Sequence, residues 1–290
     1  MVNHICFCAD GNYLNYVPAV IESVCRADSA AEIQFHVISD EPETDQFRKL
    51  MEKISMAPAV QWHAIDAAEF AGSKETLRFT KAMYYRLLIP ELISAERVLY
   101  LDCDVLVRDT LMPLFSLDFG TAYLAAVDNP FFNRFSELGL TADMGYFNSG
   151  VLLINSELWR RDNLKQKVME VVASAPELLH MPDQDAINRV VAGNWLRLPI
   201  RYNMQMSFFL RPAALSTQFP ELPDALRNPC IVHFSTPNKQ WHASCFSRYA
   251  DEYRRLNASV VIPRKHWLID ISFRFWKRLQ IRWLQSNPYI

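Results

Sequence analysis

Glycine is scarce in this chain, with seven residues in 290 against sixteen prolines. A phosphate cradle built from glycine backbone is thereby excluded, and no GxGxxG or GxxxxGKS/T string occurs. Long apolar runs are missing as well: no stretch reaches the roughly 18 residues a membrane-spanning helix needs. Met1 to Asp10 carries no basic segment followed by an apolar one, so no secretion leader is expected. An excess of positive charge is also absent. The formal net charge of -2 offers nothing to the phosphates of a nucleic acid, and no nucleic-acid partner is expected. The six cysteines, Cys6, Cys8, Cys25, Cys103, Cys230 and Cys245, form no CxxC pair, which argues against a zinc ribbon or a redox dithiol. Free thiols in a reducing compartment are the expectation, hence a cytoplasmic chain.

What is present is an alternation of short apolar runs with amphipathic segments. The pattern predicts strands at Ile5–Ala9, Ile33–Ile38, Val60–Ala64 and Arg97–Leu101. Between them it predicts helices at Leu14–Cys25, Asp45–Met56 and Lys81–Leu88. Such β-α-β-α order implies a largely parallel α/β sheet with helices on both faces. Ligands of these sheets bind beyond the carboxyl ends of the strands. Further strands are expected at Tyr123–Val127, Gly150–Ile154 and Cys230–His233, and a helix at Leu164–Ala173.

The last stretch changes character. Arg264, Lys265, Arg274, Lys277, Arg278 and Arg282 face only Asp270, a formal +5 that leaves -7 for the residues before it. On a helical wheel Phe275, Trp276, Leu279 and Trp283 share one side and the cations the other. That pattern reads as a basic amphipathic helix lying on an anionic membrane surface.

The chemistry begins at Asp102-Cys103-Asp104, which follows the apolar run Val98–Leu101. Two carboxylates delivered where a strand ends suit a hard divalent cation, and such a cation can neutralise a departing diphosphate. Phosphohydrolases of the haloacid dehalogenase type use a similar spacing, but Leu106 stands where they place Thr or Val. His233, at another predicted strand end, could complete a mixed carboxylate–imidazole site better suited to Mn²⁺ than to Ca²⁺. Lys239, six residues on, could neutralise a phosphate as a point charge. Taken singly, other polar clusters are ordinary: Asp10-Gly11-Asn12 reads as a turn, and Asp183-Gln184-Asp185 as a helix start.

In order along the chain, these segments resemble glycosyltransferase family 8, in its bacterial branch acting on lipopolysaccharide. The resemblance runs from about Ile5 to Trp241. It is carried by Ala9–Tyr13, Tyr84-Tyr85-Arg86, Leu99–Val107, Tyr146–Asn155, Pro182–Asp185 and His233–Trp241. It implies a glycosyltransferase-A type fold, a Rossmann-like mixed sheet flanked by helices. It further implies a catalytic domain over residues 1–250, and the basic, aromatic tail adds a membrane-associating region over 251–290, expected on the cytoplasmic face of the inner membrane. By the same resemblance Asp102, Asp104 and His233 would hold Mn²⁺, or Mg²⁺, against the donor diphosphate. Asp10 and Asn12 would touch uracil and ribose, the Cys8 backbone the base, and Lys239 a phosphate. Arg86, Asp128, Asn148, Asp183 and Gln184 would line the sugar pocket. The donor would be UDP-glucose or UDP-galactose, the acceptor a lipopolysaccharide sugar, and the new linkage α, with retention.

Two departures stand in the donor loop: Thr236 replaces a glycine and Gln240 a proline. Arg78 falls where some relatives carry a histidine. Retention itself leaves two routes open, double displacement and front-face substitution. Gln184 is a poor nucleophile, which favours the second, with Asp128, Asp183 and Gln184 stabilising an oxocarbenium-like state. The alternative function is an inactive relative that binds a sugar nucleotide or glycan. It predicts an eroded metal triad, yet Asp102, Asp104 and His233 are all in place.

Overall fold

The computed structural model describes residues 2–256 except 55, 57, 76–79, 243–244 and 246. The basic stretch from Arg264 to Ile290 and Arg78 lie outside the described residues, as do Phe275, Trp276, Leu279 and Trp283 with it. Ten strands follow in chain order. They are β1 (Asn3–Cys8), β2 (Ile33–Ser39), β3 (Val60–Ala64), β4 (Arg97–Leu101), β5 (Val105–Val107), β6 (Leu124–Ala126), β7 (Val151–Asn155), β8 (Leu196–Arg197), β9 (Met204–Gln205) and β10 (Ile231–His233).

Seven of them form one sheet in the order β3-β2-β1-β4-β7-β6-β8. From β3 to β4 every pairing is parallel, as the alternation implies. The expectation of a largely parallel sheet holds for six of its seven strands: β7 alone runs antiparallel to its neighbours β4 and β6, and β8 is again parallel to β6, so the sheet is mixed. The reversal has a consequence for the site, because it sets the start of β7 beside the end of β4. In a second sheet, β5-β10-β9, the strand expected at Cys230–His233 is joined by β5 and β9, which are only three and two residues long and were not signalled.

Both faces of the large sheet are buried. Ile5, Phe7, Phe35, Val37, Leu99 and Leu101 pack on one side with the Val17–Ala27 helix. Cys6, Cys8, Ile38, Val98 and Tyr100 pack on the other with Tyr84 and Leu87. Strands covered on both sides need apolar residues at every position, which is why they read as continuous runs. All six cysteines are buried.

Three helices differ from the sequence reading, two in their bounds and one in its type. Pro18 is tolerated only in a first turn, so the α-helix starts at Val17 and a 3-10 turn covers Leu14–Tyr16. The second helix, capped by the Thr44 side chain, ends at Met51 rather than Met56. Lys81–Leu88 is a 3-10 helix, its residues Met83 to Leu88 all buried. The Arg248–Leu256 helix crosses the boundary drawn at residue 250 and buries Tyr253 in the core, so packing continues at least that far. No helix among the described residues is long and apolar enough to cross a membrane.

Candidate active site

In the sheet order β1 lies between β2 and β4, so the chain changes direction of travel at the β1/β4 boundary. Outside the carboxyl ends of strands at such a switch point a crevice opens. Asp10 follows β1 there, and Asp102 follows β4. The Asp10 carboxylate accepts from the Asn12 backbone N–H at 3.0 Å and from the Thr80 hydroxyl at 2.8 Å, which makes the expected turn. Cys103 approaches the Cys8 carbonyl at 3.7 Å, tying the first strand's end to the acidic segment.

The short second sheet explains how His233 finds two aspartates so distant in sequence. β5 starts immediately after Asp104 and pairs antiparallel with β10, placing His233 opposite Val105. The Phe234 N–H donates to the Asp104 carbonyl at 3.0 Å and locks that register. His233 Nε2 then lies 3.3 Å from Asp104 Oδ1 and 3.8 Å from Asp102 Oδ2. Asp102, Asp104 and His233 each offer a ligand atom, all within 4.8 Å of one another. Two carboxylate oxygens and one imidazole nitrogen fit Mn²⁺, and Mg²⁺ less specifically.

Gly150, at the start of antiparallel β7, closes this cradle. A Cβ there would sit 2.4 Å from His233 Cε1 and 2.6 Å from Asp102 Oδ2, too close for either side chain to stay. Its carbonyl also accepts from the Asp102 N–H at 2.8 Å. The glycine is therefore required by close approach.

Lys239 reaches one of these carboxylates: its ammonium bonds Asp104 Oδ2 and the Phe234 carbonyl. Burial would raise the Asp104 carboxyl, but Lys239 and His233 outweigh it and hold it well below the usual carboxylate range. Burial likewise works against the Lys239 charge, and Asp104 more than restores it.

Arg86 forms the floor. Its guanidinium lies 3.2 Å from Asp102 Oδ1 and 3.4 Å from Asp183 Oδ2, donates to the Ser149 carbonyl at 2.6 Å, and sits over the Tyr100 ring. Asp183, on the Pro182–Val191 helix, is buried, and burial raises its carboxyl despite the arginine. Beside it Gln184 Oε1 accepts from the Ser149 N–H at 2.9 Å and from Asn148 Nδ2 at 3.1 Å. Asp128 stands apart on a loop. Its carboxylate is 3.4 Å from Arg197, its carbonyl accepts from Gln205 Nε2 at 3.0 Å, and burial raises its carboxyl although Arg197 opposes this.

The sequence-derived residues thus fall into a tight group around Arg86 and His233, with Asp10 and Asn12 at its β1 edge and Asp128 at its β6 edge. Sequence reasoning missed Asn203, which is fully buried 2.9 Å from His233 Nδ1. It also missed Tyr100, whose hydroxyl bonds Asp102, and the role of Gly150. An asparagine that ends a four-residue 3-10 turn before a two-residue strand gives no periodic signal. Of the two departures, Thr236 bonds locally to the Asn238 carbonyl at 3.4 Å. Gln240 is fully buried, and neither of its amide atoms has a hydrogen-bond partner.

Comparison with known proteins gives a consistent result. The model of the family described as glycosyl transferase family 8 matches residues 4–245. General stress protein A of Bacillus subtilis is 32% identical over 87% of this chain and 92% of its own length. A lipopolysaccharide 1,3-galactosyltransferase of Salmonella typhimurium is 29% identical over 83% of this chain and 73% of its own. Against streptococcal glycosyltransferases that it matches, the chain spans at most 63% of their length. The crystal structure of the galactosyltransferase LgtC in complex with donor and acceptor sugar analogs superposes with a TM-score of 0.78. It is 27% identical and covers 92% of this chain and 99% of that one.

Proposed function

From its place in glycosyl transferase family 8, to which this chain belongs, we propose a retaining hexosyltransferase that uses UDP-glucose or UDP-galactose and Mn²⁺. The observation that carries the reading is the convergence of Asp102, Asp104 and His233 within 4.8 Å at the strand switch point. A divalent cation held there would act as a Lewis acid on the diphosphate oxygens as the glycosidic bond weakens.

The chain's own groups do the rest. Lys239 carries its ammonium on Asp104, from which a phosphate could accept it as the donor enters. Arg86 sets one positive charge between Asp102 and Asp183 and opposes the burial that raises the Asp183 carboxyl. The Gln184 oxygen already accepts from the Ser149 N–H, the Ser149 hydroxyl and the Asn148 amide, and its own amide nitrogen donates to Tyr146 at 3.0 Å. A carbonyl so engaged is a poor attacking group, which supports front-face substitution. In that route the acceptor hydroxyl adds on the side the diphosphate leaves and gives up its proton to it.

The proposed acceptor is a lipopolysaccharide sugar, supported by the named activity of the Salmonella relative. The basic, aromatic sequence from Arg264 to Ile290 supports attachment to an anionic inner-membrane surface on the cytoplasmic side. The test is a donor panel assayed against truncated lipopolysaccharide acceptors with Mn²⁺. UDP release with an α-linked hexose in the product is expected. Donor binding without UDP formation in the presence of each acceptor would instead indicate a binding protein.

A further inference from the structure

Three buried side-chain amides, Gln184, Asn148 and Asn203, lead from the Pro182–Val191 helix to His233, and two backbone N–H groups fix the direction of every bond along the way. The Ser149 N–H donates to Gln184 Oε1 at 2.9 Å, which identifies that atom as the oxygen and turns the Gln184 NH₂ toward Tyr146. The Gly150 N–H donates to Asn148 Oδ1 at 3.1 Å, so the Asn148 NH₂ is the arm that reaches Gln184 Oε1 at 3.1 Å. Asn203 faces that same Asn148 oxygen at 2.9 Å, and only its NH₂ can do so without setting oxygen against oxygen. Its own Oδ1 is left facing His233 Nδ1 at 2.9 Å. An oxygen cannot donate, so Nδ1 must carry a proton.

We propose that Asn203 is a positioning residue that fixes His233 as the Nδ1–H tautomer and thereby directs the Nε2 lone pair at Asp102 and Asp104. The aspartates alone favour the opposite arrangement. With Nε2 3.3 Å from Asp104 Oδ1, a proton on Nε2 would gain a charge-assisted hydrogen bond and the lone pair would point away from the site. Asn203 removes that choice, because the other tautomer would put an imidazole lone pair against an amide oxygen in a fully buried place. The cost of such a clash is the desolvation of two unpaired acceptors, which is what makes the selection firm. The backbone N–H groups of Ser149 and Gly150 therefore set the tautomer of a histidine more than eighty residues away in sequence.

The inference rests on reading Asp102, Asp104 and His233 as metal ligands, but its first readout does not require the metal. In full-length protein with ¹⁵N-labelled histidine at pH 8.5, His233 Nδ1 is expected in the protonated range, with Nε2 the nitrogen that shifts on adding Mg²⁺. Asn203→Ala should abolish the Nδ1–H signature and weaken Mn²⁺ binding about 10- to 100-fold. Asn203→Asp keeps an acceptor for Nδ1–H while setting its second oxygen against Asn148 Oδ1, and should restore the signature with only part of the affinity. An unprotonated Nδ1 in the wild-type chain overturns the proposal without any variant having to fold. So does an Asn203→Ala protein whose tautomer and Mn²⁺ affinity match the wild type. If Nδ1–H is present but neither cation binds the wild-type chain, the metal reading of the site falls and the tautomer assignment stands.

Discussion

At Gly150 one hydrogen in place of a methyl group leaves room for both His233 and Asp102. Gly150→Ala should therefore leave the fold intact but push a ligand out of line. We expect Mn²⁺ affinity, read by titration against electron spin resonance, to fall by about tenfold or more. Normal affinity would show that the cradle tolerates a Cβ. Arg86 is a different case of dependence. Its charge is buried between Asp102 and Asp183, so Arg86→Leu strands two carboxylates rather than removing one interaction. Losing one partner of a buried pair costs about 3–5 kcal/mol, which urea denaturation would register. Asp102, Asp104, His233 and Arg86 could all be picked out in the sequence because their motifs are short and ordered. Asn203 and Tyr100 could not, because an orienting partner is defined by what it touches and not by a local pattern.

Among the elements, β5 and β10 do the most for the site, and of the two only β10 was expected from the sequence. The three residues of β5 are too few for periodicity, and its pairing joins residues 105–107 to residues 231–233. The parallel half of the large sheet was legible by contrast, since β1 to β4 are apolar runs separated by helical segments. That half also carries a chain of imidazoles. His4 Nδ1 meets His36 Nε2 at 3.0 Å, His36 Nδ1 meets His63 Nε2 at 3.0 Å, and adjacent rings stack. Burial first, then His63 and His4, push His36 down to about 4 from 6.5. The unfolded chain thus binds the proton more readily than the folded one. Stability should be flat above about pH 6.5 and fall as pH drops toward 4, by up to about 1.4 kcal/mol per pH unit. His36→Gln should flatten that slope in urea denaturation between pH 7 and 4.5. An unchanged slope would assign the acid sensitivity to other groups.

For the whole molecule, the two buried faces of one sheet and the smaller sheet beside it form a frame on which the site is suspended between segments distant in sequence. Binding at such a site stabilises the entire fold. Mn²⁺ with UDP at roughly a hundredfold excess over Kd should add about 2.7 kcal/mol and raise Tm by several degrees. Asp104→Asn removes a ligand and the partner of Lys239 together, and should cancel most of that shift in differential scanning calorimetry. A variant stabilised as much as the wild type would place the cation elsewhere.

The sequence by itself determined the α/β class, the strand ends that carry Asp10 and Asp102, and the family, because local periodicity and ordered motifs are properties of neighbouring residues. The antiparallel setting of β7, the meeting of His233 with the two aspartates, the close approach at Gly150 and the orientation of His233 by Asn203 were decided only in three dimensions. Each is a contact between segments whose separation along the chain carries no periodic trace. Register, side-chain direction and the space left for a metal follow from how the sheets pack, and packing is settled by all the elements together.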